Sequence, residues 1–393
     1  MPHSADATHS RCHTQSRTAA TQRGWQQPPT HLPIMTMRSM FTAAAIAVAV
    51  PSLSARPLSA QTTTTIVVNQ DATLYSSASG NIANGAGTAM FAGMSSTPAA
   101  RRAILQFDVA SAIPAGSRVL SARLELTVQS SASPQPLLVD AHRLTQAWSE
   151  GTSVAGGGQG NGGPALIGDA TWLHTSYQTT FWNTPGGDFL ATPSFSFELD
   201  GLGSNVTAPL PGLIGDVQSW LDNPASNFGW LLKGDESLAM TATKISTREA
   251  PNSSEHPRLI LAYMTPGETG RWGSGCVTGT GVMTLTPVGL ATGGTVVPLN
   301  YTNTPVSSIG ATFFALDLVP TGTELFPNCS AYLPLTGAIV AGPTLLTDAS
   351  GTGAASFAVP VGFPGYLIVC QGAVLDGSAF GFALSNAGVM VTQ

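Results

Sequence analysis

Two segments of this chain alternate apolar and more polar residues with a period of two, and that pattern limits the fold more than any other feature. A period of two places one set of side chains on each face of an extended strand, as in the half-buried strands of antiparallel sheets. The apolar positions are Ala103, Leu105, Phe107 and Val109 in the first segment and Ala122, Leu124, Leu126 and Val128 in the second. Weaker runs of the same kind occupy residues 72–76, 88–94, 137–144, 195–199, 228–233, 241–248 and 258–264. So many short strands predict an all-β fold, namely a jelly-roll-like β-sandwich over residues 61–264.

One segment follows a different period and predicts a single short helix. Its apolar residues recur at helical spacing, at Leu213, Ile214, Val217, Trp220 and Leu221. Pro211 and Pro224 bracket the segment, where they suit the first turn and the stop of a helix. We expect this helix to cap the sandwich, with Trp220 in the core.

Residues 272–393 predict a second, smaller β-sandwich of immunoglobulin-like size. A segment rich in Gly and Thr, residues 265–271, is expected to be the linker. Strand-like runs lie near 281–285, 295–301, 311–319, 344–347, 354–359, 365–375, 380–384 and 387–392.

The N-terminal sixty residues predict export. Residues 1–36 show no periodicity and are expected to be a disordered leader or an upstream mis-start. Residues 37–60 combine a short positive start, an apolar run over residues 41–50 and small residues before Gln61. This is the architecture of a secretory signal peptide cleaved near Ala60, and it is too short to span a bilayer. The protein is therefore expected to be secreted, free outside the cell or at its surface.

Charge is scarce and its balance excludes some partners. Only 9% of residues are charged, against roughly 25% in an average soluble domain. Residues 61–393 carry ten Lys and Arg against twenty Asp and Glu, a net charge of −10 with His neutral. Phosphate backbones and anionic lipid would repel such a chain, so nucleic acid and membrane-surface partners are not expected. No segment of 18 apolar residues predicts a membrane span.

The cysteines agree with export. Cys12 lies in the predicted leader, and the other three fall in the last third of the chain without a C-x-x-C motif. We predict a disulfide between Cys276 and Cys329. Cys370 shares a strand face with Tyr366 and Ile368, as a buried free thiol would.

Catalytic patterns are weak. The sequence has no G-x-S-x-G motif, and only three His residues follow the predicted signal peptide, so no catalytic residue is assigned. The glycine cluster at residues 156–163 lacks the Lys-Ser/Thr of a nucleotide loop and is expected to be a flexible surface loop. Carboxylates that could serve glycoside cleavage are Glu150, Asp169, Asp188, Glu198 and Asp200.

No cofactor is expected, and the candidate metal is a structural calcium ion. Hard oxygen ligands from irregular loops suit calcium. The predicted ligands are drawn from Asp169, Asp188, Asp235 and Glu236.

Aromatic residues in a polar, Gly-rich region suggest a glycan site. Planar apolar rings rimmed by hydrogen-bonding groups stack on sugar faces. The candidates are Trp172, Tyr177 and Trp182, with Tyr177 and Trp182 expected to be exposed; the alternative for Trp148 and Trp172 is that they fill the sandwich edge. Arg248 either forms a structural pair with Glu249 or contacts an acidic sugar.

Several motifs resemble the DNRLRE-domain family of secreted and surface proteins of bacteria. Residues 102–108 (RAILQFD) resemble its R-x-L-L-x-F-D strand. Further matches are residues 72–76 with Asn84-Gly85, residues 121–124, 148–150, 170–172, 227–229 and 246–249. Here Thr247 stretches the family's Ser-Arg-Glu element by one residue. Residues 273–276, 347–360 and 370–387 are more loosely similar to a C-terminal module of planctomycete-like secreted proteins.

The resemblance implies a jelly-roll-like sandwich without catalytic residues. Some family members are similar to modules that recognise acidic polysaccharides. Our leading hypothesis is a secreted, non-catalytic surface or matrix protein that binds a polysaccharide or cell-surface glycan through loops of the first sandwich. The alternatives are a structural or adhesive module that assembles with other proteins through the second sandwich, and a polysaccharide-degrading enzyme.

Overall fold

A computed structural model describes residues 61–133 and 135–393, so the leader and signal peptide predicted for residues 1–60 lie outside the described residues. Strands dominate the described chain, as the sequence predicts. Before residue 265 they are β1 (Thr62–Val67), β2 (Gln70–Tyr75), β3 (Ile82–Ala83), β4 (Ala89–Met94), β5 (Ala100–Gln106), β6 (Arg118–Ser131), β7 (Leu137–Arg143), β8 (Gly163–Pro164), β9 (His174–Ser176), β10 (Thr180–Phe181), β11 (Phe195–Leu199), β12 (Gly203–Val206), β13 (Trp230–Lys233), β14 (Thr243–Ser246) and β15 (Arg258–Met264). The helices are α1 (Val109–Ala112) and α2 (Pro211–Asp222), with single 3-10 turns at Pro224–Ser226 and Ser253–Glu255.

Eleven of these strands form one antiparallel sheet that folds over on itself. Its order is β1-β15-β6-β14-β4-β5-β13-β7-β11, with β12 also paired to β6 and β2 to β5. The β4–β5 hairpin joins the two halves, and a single apolar core contains side chains from both. The period-two prediction is confirmed, because Leu105 on one half and Leu124 on the other are fully buried in that core. The fold is the all-β sandwich that the sequence predicts.

Helix α2 lies against β6 and closes one side of the core. Pro211 occupies its first turn, where the missing N–H costs no hydrogen bond. Trp220 is buried in the core as predicted, and its ring centroid lies 4.5 Å from that of Trp230. The Trp230 indole donates to Asp216 Oδ2 at 2.7 Å, which satisfies a carboxylate on the buried side of the helix. The one-turn helix α1 was not predicted.

The second part of the chain builds two larger sheets and two two-stranded sheets. Its strands are β16 (Thr269–Trp272), β17 (Val277–Thr278), β18 (Gly281–Val282), β19 (Thr284–Pro287), β20 (Val296–Thr302), β21 (Ile309–Ala315), β22 (Thr323–Phe326), β23 (Cys329–Ala331), β24 (Val340–Leu346), β25 (Gly353–Ala358), β26 (Leu367–Leu375) and β27 (Phe382–Val391). A five-stranded sheet has the order β16-β27-β26-β21-β24, and a three-stranded sheet has the order β19-β20-β25. Leu285, Leu299 and Met390 are fully buried in the core that these strands share.

Two details differ from the sequence predictions. β16 begins at Thr269, inside the segment predicted as a linker, because residues 269–272 pair with β27. The two strands predicted near 380–384 and 387–392 are one continuous strand, β27, whose pairing with β26 shifts register near Gln371. A bulge of this kind interrupts the alternation that sequence analysis relies on.

The two parts meet through a small apolar cluster. Leu120 and Met264 from the first part pack with Val369 and Val389 from the second. Arg118 also donates a hydrogen bond to the Gly365 carbonyl oxygen. Among the described residues, no helix has the length and apolar character needed to cross a membrane.

The predicted disulfide is confirmed, since Cys276 and Cys329 are bonded across 53 residues of sequence. Cys370 is free and fully buried, also as predicted. Burial raises the pKa of the Cys370 thiol to about 12. This thiol is therefore protonated and unreactive at neutral pH.

Replacing both Cys276 and Cys329 with Ser is expected to lower the free energy of unfolding by about 4 kcal/mol. The reason is that the cross-link restricts the conformations open to the unfolded chain. Urea unfolding followed by tryptophan fluorescence measures the loss. Cys370→Ala, which removes a buried thiol but no cross-link, is the control and should cost less. An unchanged urea midpoint in the double variant would contradict a stabilising disulfide.

Candidate functional site

An open groove of about 590 Å³ lies on the face of the first sheet that is turned away from the main core. It crosses β5, β4, β14 and the end of β6, which are neighbours in the sheet. Its walls include Phe91, Arg101, Ser130, Ser131, Lys244 and the glycine-rich loop at residues 156–161.

Strand register places the groove residues side by side. Lys244 lies opposite Phe91 on β4 and opposite Ser130 on β6. Residues directly opposite one another in an antiparallel pair share a face of the sheet. The next residue, Ile245, is fully buried in the main core, so Lys244 projects to the other side, into the groove. Lys244 is half-buried and has no ion pair or side-chain hydrogen bond within the described chain.

Arg101 supplies a second positive charge to the same groove. Its guanidinium carbon lies 5.0 Å from the centroid of the Tyr75 ring, and its Nε donates to the Gly160 carbonyl oxygen at 2.8 Å. Burial lowers the pKa of this guanidinium, but arginine in proteins stays protonated. All the acceptors of Arg101 are neutral backbone carbonyls. Its charge is therefore not neutralised by any carboxylate of the described chain.

The glycine-rich loop is anchored to the sheet rather than projecting freely. Besides the Arg101 bond at Gly160, the Tyr75 hydroxyl donates to the Gln159 carbonyl oxygen at 2.9 Å. The Asn84 side-chain amide donates to Gln159 Oε1 at 3.2 Å. By contrast, a Cβ built at any of residues 156–158 would meet no atom within 4 Å. The near part of the loop is fixed, and its far part leaves open space for a ligand.

A second feature of this region is a cluster of three carboxylates around one guanidinium, formed by Asp71, Glu150, Arg248 and Glu249. One carboxylate oxygen from each acid lies within 4.8 Å of one from each of the others. Arg248 Nε donates to Glu150 Oε1 at 2.9 Å, and its Nη2 donates to Glu150 Oε2. The same Nε lies 3.0 Å from Glu249 Oε1.

Backbone amides complete this acidic cluster. The Arg248 amide donates to Asp71 Oδ2 at 2.9 Å, and the Asp71 amide donates to Glu150 Oε1 at 2.8 Å. Two oxygens are buried without any hydrogen-bond donor: Asp71 Oδ1 and Glu249 Oε2. The cluster thereby joins the start of β2, the loop after β7 and the turn after β14.

Burial dominates the electrostatics of the acidic cluster. The pKa of Asp71 is raised well above its ordinary value by desolvation, and the amide of Arg248 opposes this only in part. The pKa of Glu249 is also raised, first by burial and then by the neighbouring charge of Glu150. Hydrogen bonds that Arg248 donates to the Glu150 carboxylate raise the pKa of Arg248 above its ordinary value, so this guanidinium remains charged. One positive charge therefore faces three carboxylates.

The four residues predicted to bind calcium are not brought together. Asp169 is fully buried, where its Oδ1 accepts from the amides of Thr152 and Ser153 and its Oδ2 accepts from that of Leu166. Its oxygens are occupied by the backbone of the loop that leads into the groove. Within the described residues, the only cluster of three His, Cys, Asp or Glu ligand atoms is the one at Asp71.

The other three predicted ligands also have structural partners. Asp188 caps a turn by accepting from the amides of Asn183 and Thr184. Asp235 accepts from the Ser237 amide, and Glu236 forms a two-bond ion pair with Arg102. None of these four residues belongs to a cluster of three ligand atoms within the described chain, so their assignment to a calcium site stays a prediction. Of the remaining acidic candidates, Glu198 and Asp200 lie exposed at the end of β11.

The predicted aromatic site is only partly exposed. Trp182 was expected to be exposed but is 5% exposed, because its indole donates to the Thr171 carbonyl oxygen inside a small core. Trp172 is half-buried beneath Arg102, whose guanidinium carbon lies 4.7 Å from the ring centroid. Tyr177 is half-buried beside the ring of His174.

Phe181 is the exposed ring of this loop region. It is 61% exposed and its centroid lies 4.2 Å from that of His174. It lies directly before the buried Trp182, and in an extended segment consecutive side chains point in opposite directions. That alternation was the sequence signal that could have identified Phe181.

The predicted pair between Arg248 and Glu249 is confirmed, and sequence reasoning missed its larger partner, Glu150. The extra residue Thr247 is buried, and its hydroxyl donates to the Gly87 carbonyl oxygen. Sequence reasoning also missed Asp71, and it did not predict that Arg101 and Lys244 line the same groove. Lys244 could have been singled out from the sequence by the scarcity of lysine, since the chain has only one other, Lys233.

No family model matches this chain, and no curated protein matches it at a significant level. The resemblance to the DNRLRE-domain family therefore stays a prediction.

Asp71→Asn is expected to stabilise the protein at pH 8 in metal-free buffer. Because burial raises the pKa of Asp71, the folded protein holds this proton more tightly than the unfolded chain. The stability that this carboxyl contributes is complete below its unfolded pKa of 3.8 and is lost as pH rises through the folded pKa. Melting temperatures are measured for both proteins from pH 4 to 8. The melting temperature of Asp71→Asn should rise relative to that of the parent as pH rises.

Asp235→Asn is the control for this comparison. Hydrogen bonds from Ser237 lower the pKa of Asp235, so the melting temperature of its amide variant should not rise relative to the parent at high pH. Equal pH profiles for the parent and Asp71→Asn would contradict a raised pKa at Asp71.

Proposed function

We propose that this protein is a secreted, non-catalytic surface or matrix protein whose first sandwich binds an acidic polysaccharide in the groove between Arg101 and Lys244. The observation that carries the proposal is a pair of cations without carboxylate partners in a chain that is otherwise strongly acidic. Six of the ten Lys and Arg of residues 61–393 have a carboxylate within 4.0 Å. Of the remaining four, only Arg101 and Lys244 line the same groove.

The groove's chemistry suits a charged sugar chain. A carboxylate or sulfate group can pair with Lys244 and Arg101, since charge-assisted hydrogen bonds are stronger than neutral ones. Ser130 and Ser131 offer hydroxyls, and the loop at residues 156–161 offers backbone and amide groups. The buried ring of Phe91 forms an apolar floor. An open groove of this kind accepts the middle of a chain as readily as its end.

The groove also favours binding over cleavage. Glycoside hydrolysis uses two carboxylates on either side of the sugar. The described residues that line this groove include no Asp, Glu or His. Export is supported by the Cys276–Cys329 disulfide, because such bonds persist in oxidising compartments outside the cytosol.

Lys244→Gln is expected to weaken binding to acidic polysaccharides by about tenfold, because it removes one charge-assisted contact. Affinity electrophoresis in gels containing alginate or polygalacturonate, with dextran as the neutral polymer, provides the measurement. Raised NaCl should weaken binding to the acidic polymers, since salt screens exposed charges.

Lys233→Gln is the matched control, because it makes the same charge change outside the groove, beside Glu236. It should retain the parent affinity. Equal losses in both variants, or equal retention by dextran, would rule out the Arg101–Lys244 groove as an acidic-sugar site.

A second candidate function, protein–protein assembly through the second sandwich, is favoured by an apolar groove of about 480 Å³. It lies between β24 and β25, which are edge strands of different sheets. Its walls include Phe314, Val340, Pro343, Phe357 and Ile368. Unpaired edges beside apolar side chains are places where another chain can add.

Val340→Glu separates the two functions, because Val340 is 64% exposed and its replacement should leave the fold intact. If this groove mediates assembly, sedimentation velocity should show a larger species for the parent that Val340→Glu removes and Lys244→Gln retains. A parent that sediments as a monomer alone and with cell-surface extracts would contradict the assembly function.

A further inference from the structure

We propose that Asp71, Glu150 and Glu249 form a calcium-binding site in the first sandwich. This site differs from the set of residues that sequence reasoning selected. Three features of the cluster point to calcium: the spacing of the carboxylates, two buried oxygens without hydrogen-bond partners and the balance of charge.

The spacing of the carboxylates fits one calcium ion. Calcium takes oxygen ligands at about 2.3–2.6 Å, so two oxygens on opposite sides of the ion lie at most about 5 Å apart. One oxygen from each of the three acids lies within 4.8 Å of the others. The three acids therefore can bind one ion together, with carbonyl oxygens or water completing its shell of about six to eight ligands.

Two oxygens of this cluster are available for coordination. Asp71 Oδ1 and Glu249 Oε2 are buried and have no hydrogen-bond donor. Asp71 itself is 0% exposed, so its free oxygen cannot be solvated by bulk water. A buried carboxylate oxygen without a partner is strongly unfavourable unless a proton or a cation approaches it. Asp71 Oδ2 and both oxygens of Glu150, by contrast, already accept backbone or guanidinium hydrogen bonds.

The charges in the cluster leave room for a divalent ion. Three carboxylates carry three negative charges when ionised, and Arg248 supplies one positive charge. The remainder equals the charge of one calcium ion. No other Lys or Arg of the described chain pairs with these acids.

Protonation is the competing way to neutralise the cluster. Burial raises the pKa values of both Asp71 and Glu249, which makes protons available to fill this role at acidic pH. Calcium and protons then compete for the same oxygens, and calcium binding releases protons.

The site would also hold the walls of the groove, a consequence that rests on the proposed function. Glu150 begins the segment that passes through Ser153 into the glycine-rich loop, and Glu249 follows the strand that carries Lys244. An ion at the cluster would fix both segments against β2.

The test measures calcium binding without any polysaccharide, so its result does not depend on the proposed function. Equilibrium dialysis with CaCl2 at pH 7.5 should give about one tight ion per chain. In about 10 mM CaCl2, roughly a hundredfold above a dissociation constant typical of extracellular modules, the melting temperature should rise by roughly 5 °C relative to EGTA.

Asp71→Asn and Glu249→Gln should each reduce calcium affinity at least about tenfold, because each replaces a charged ligand oxygen with a weaker neutral one. Both variants retain the shape of the native side chain, and the Asn side chain can still accept the bond from the Arg248 amide. Asp235→Asn, which changes an acid outside the cluster, is the control and should bind calcium like the parent.

Absence of a calcium-dependent shift in the parent would overturn the site and assign neutralisation to protons. Retention of the full shift in both cluster variants would overturn it too, as would an equal response to magnesium. Loss of the response in Asp235→Asn alone would place the ion at the loop of Asp235 instead.

Discussion

Three carboxylates, Asp71, Glu150 and Glu249, share one guanidinium, and the loops of the first sandwich depend on how that imbalance is resolved. The cluster joins segments that lie 79 and 177 residues apart along the chain. Removing the guanidinium of Arg248 from this group would be costly, because the three carboxylates would then have no positive partner. The cluster therefore ties the loop after β7 and the turn after β14 to β2.

Scarcity of charge makes the placement of each cation informative. With 9% charged residues, the chain has few groups that can solvate or neutralise one another. Six of the ten Lys and Arg in residues 61–393 form ion pairs, such as that of Arg102 with Glu236 and that of Arg143 with Asp216. Arg101 and Lys244 are held in a groove without such partners. A protein that repels most anions can still attract one locally, because a concave, partly desolvated site strengthens the field of its own charges.

The parts of the structure that local patterns control were predictable. Alternation over residues 102–106 and helical spacing over 211–222 each report burial within one element, and the structure confirms both. Loop side chains were not predictable in this way. The burial of Trp182 depends on a bond to Thr171, and the role of Asp169 depends on amides up to 17 residues away. The role of Asp71 could not be predicted from its neighbours in the sequence, since its partners come from distant loops.

The most direct measurement is long-wavelength anomalous diffraction from crystals of the protein grown with calcium chloride. We expect one strong anomalous peak, within about 2.6 Å of an oxygen from each of Asp71, Glu150 and Glu249. Crystals that show no peak at these carboxylates, or that show the ion at Asp169 or Asp188 instead, would contradict a cluster balanced by a bound cation.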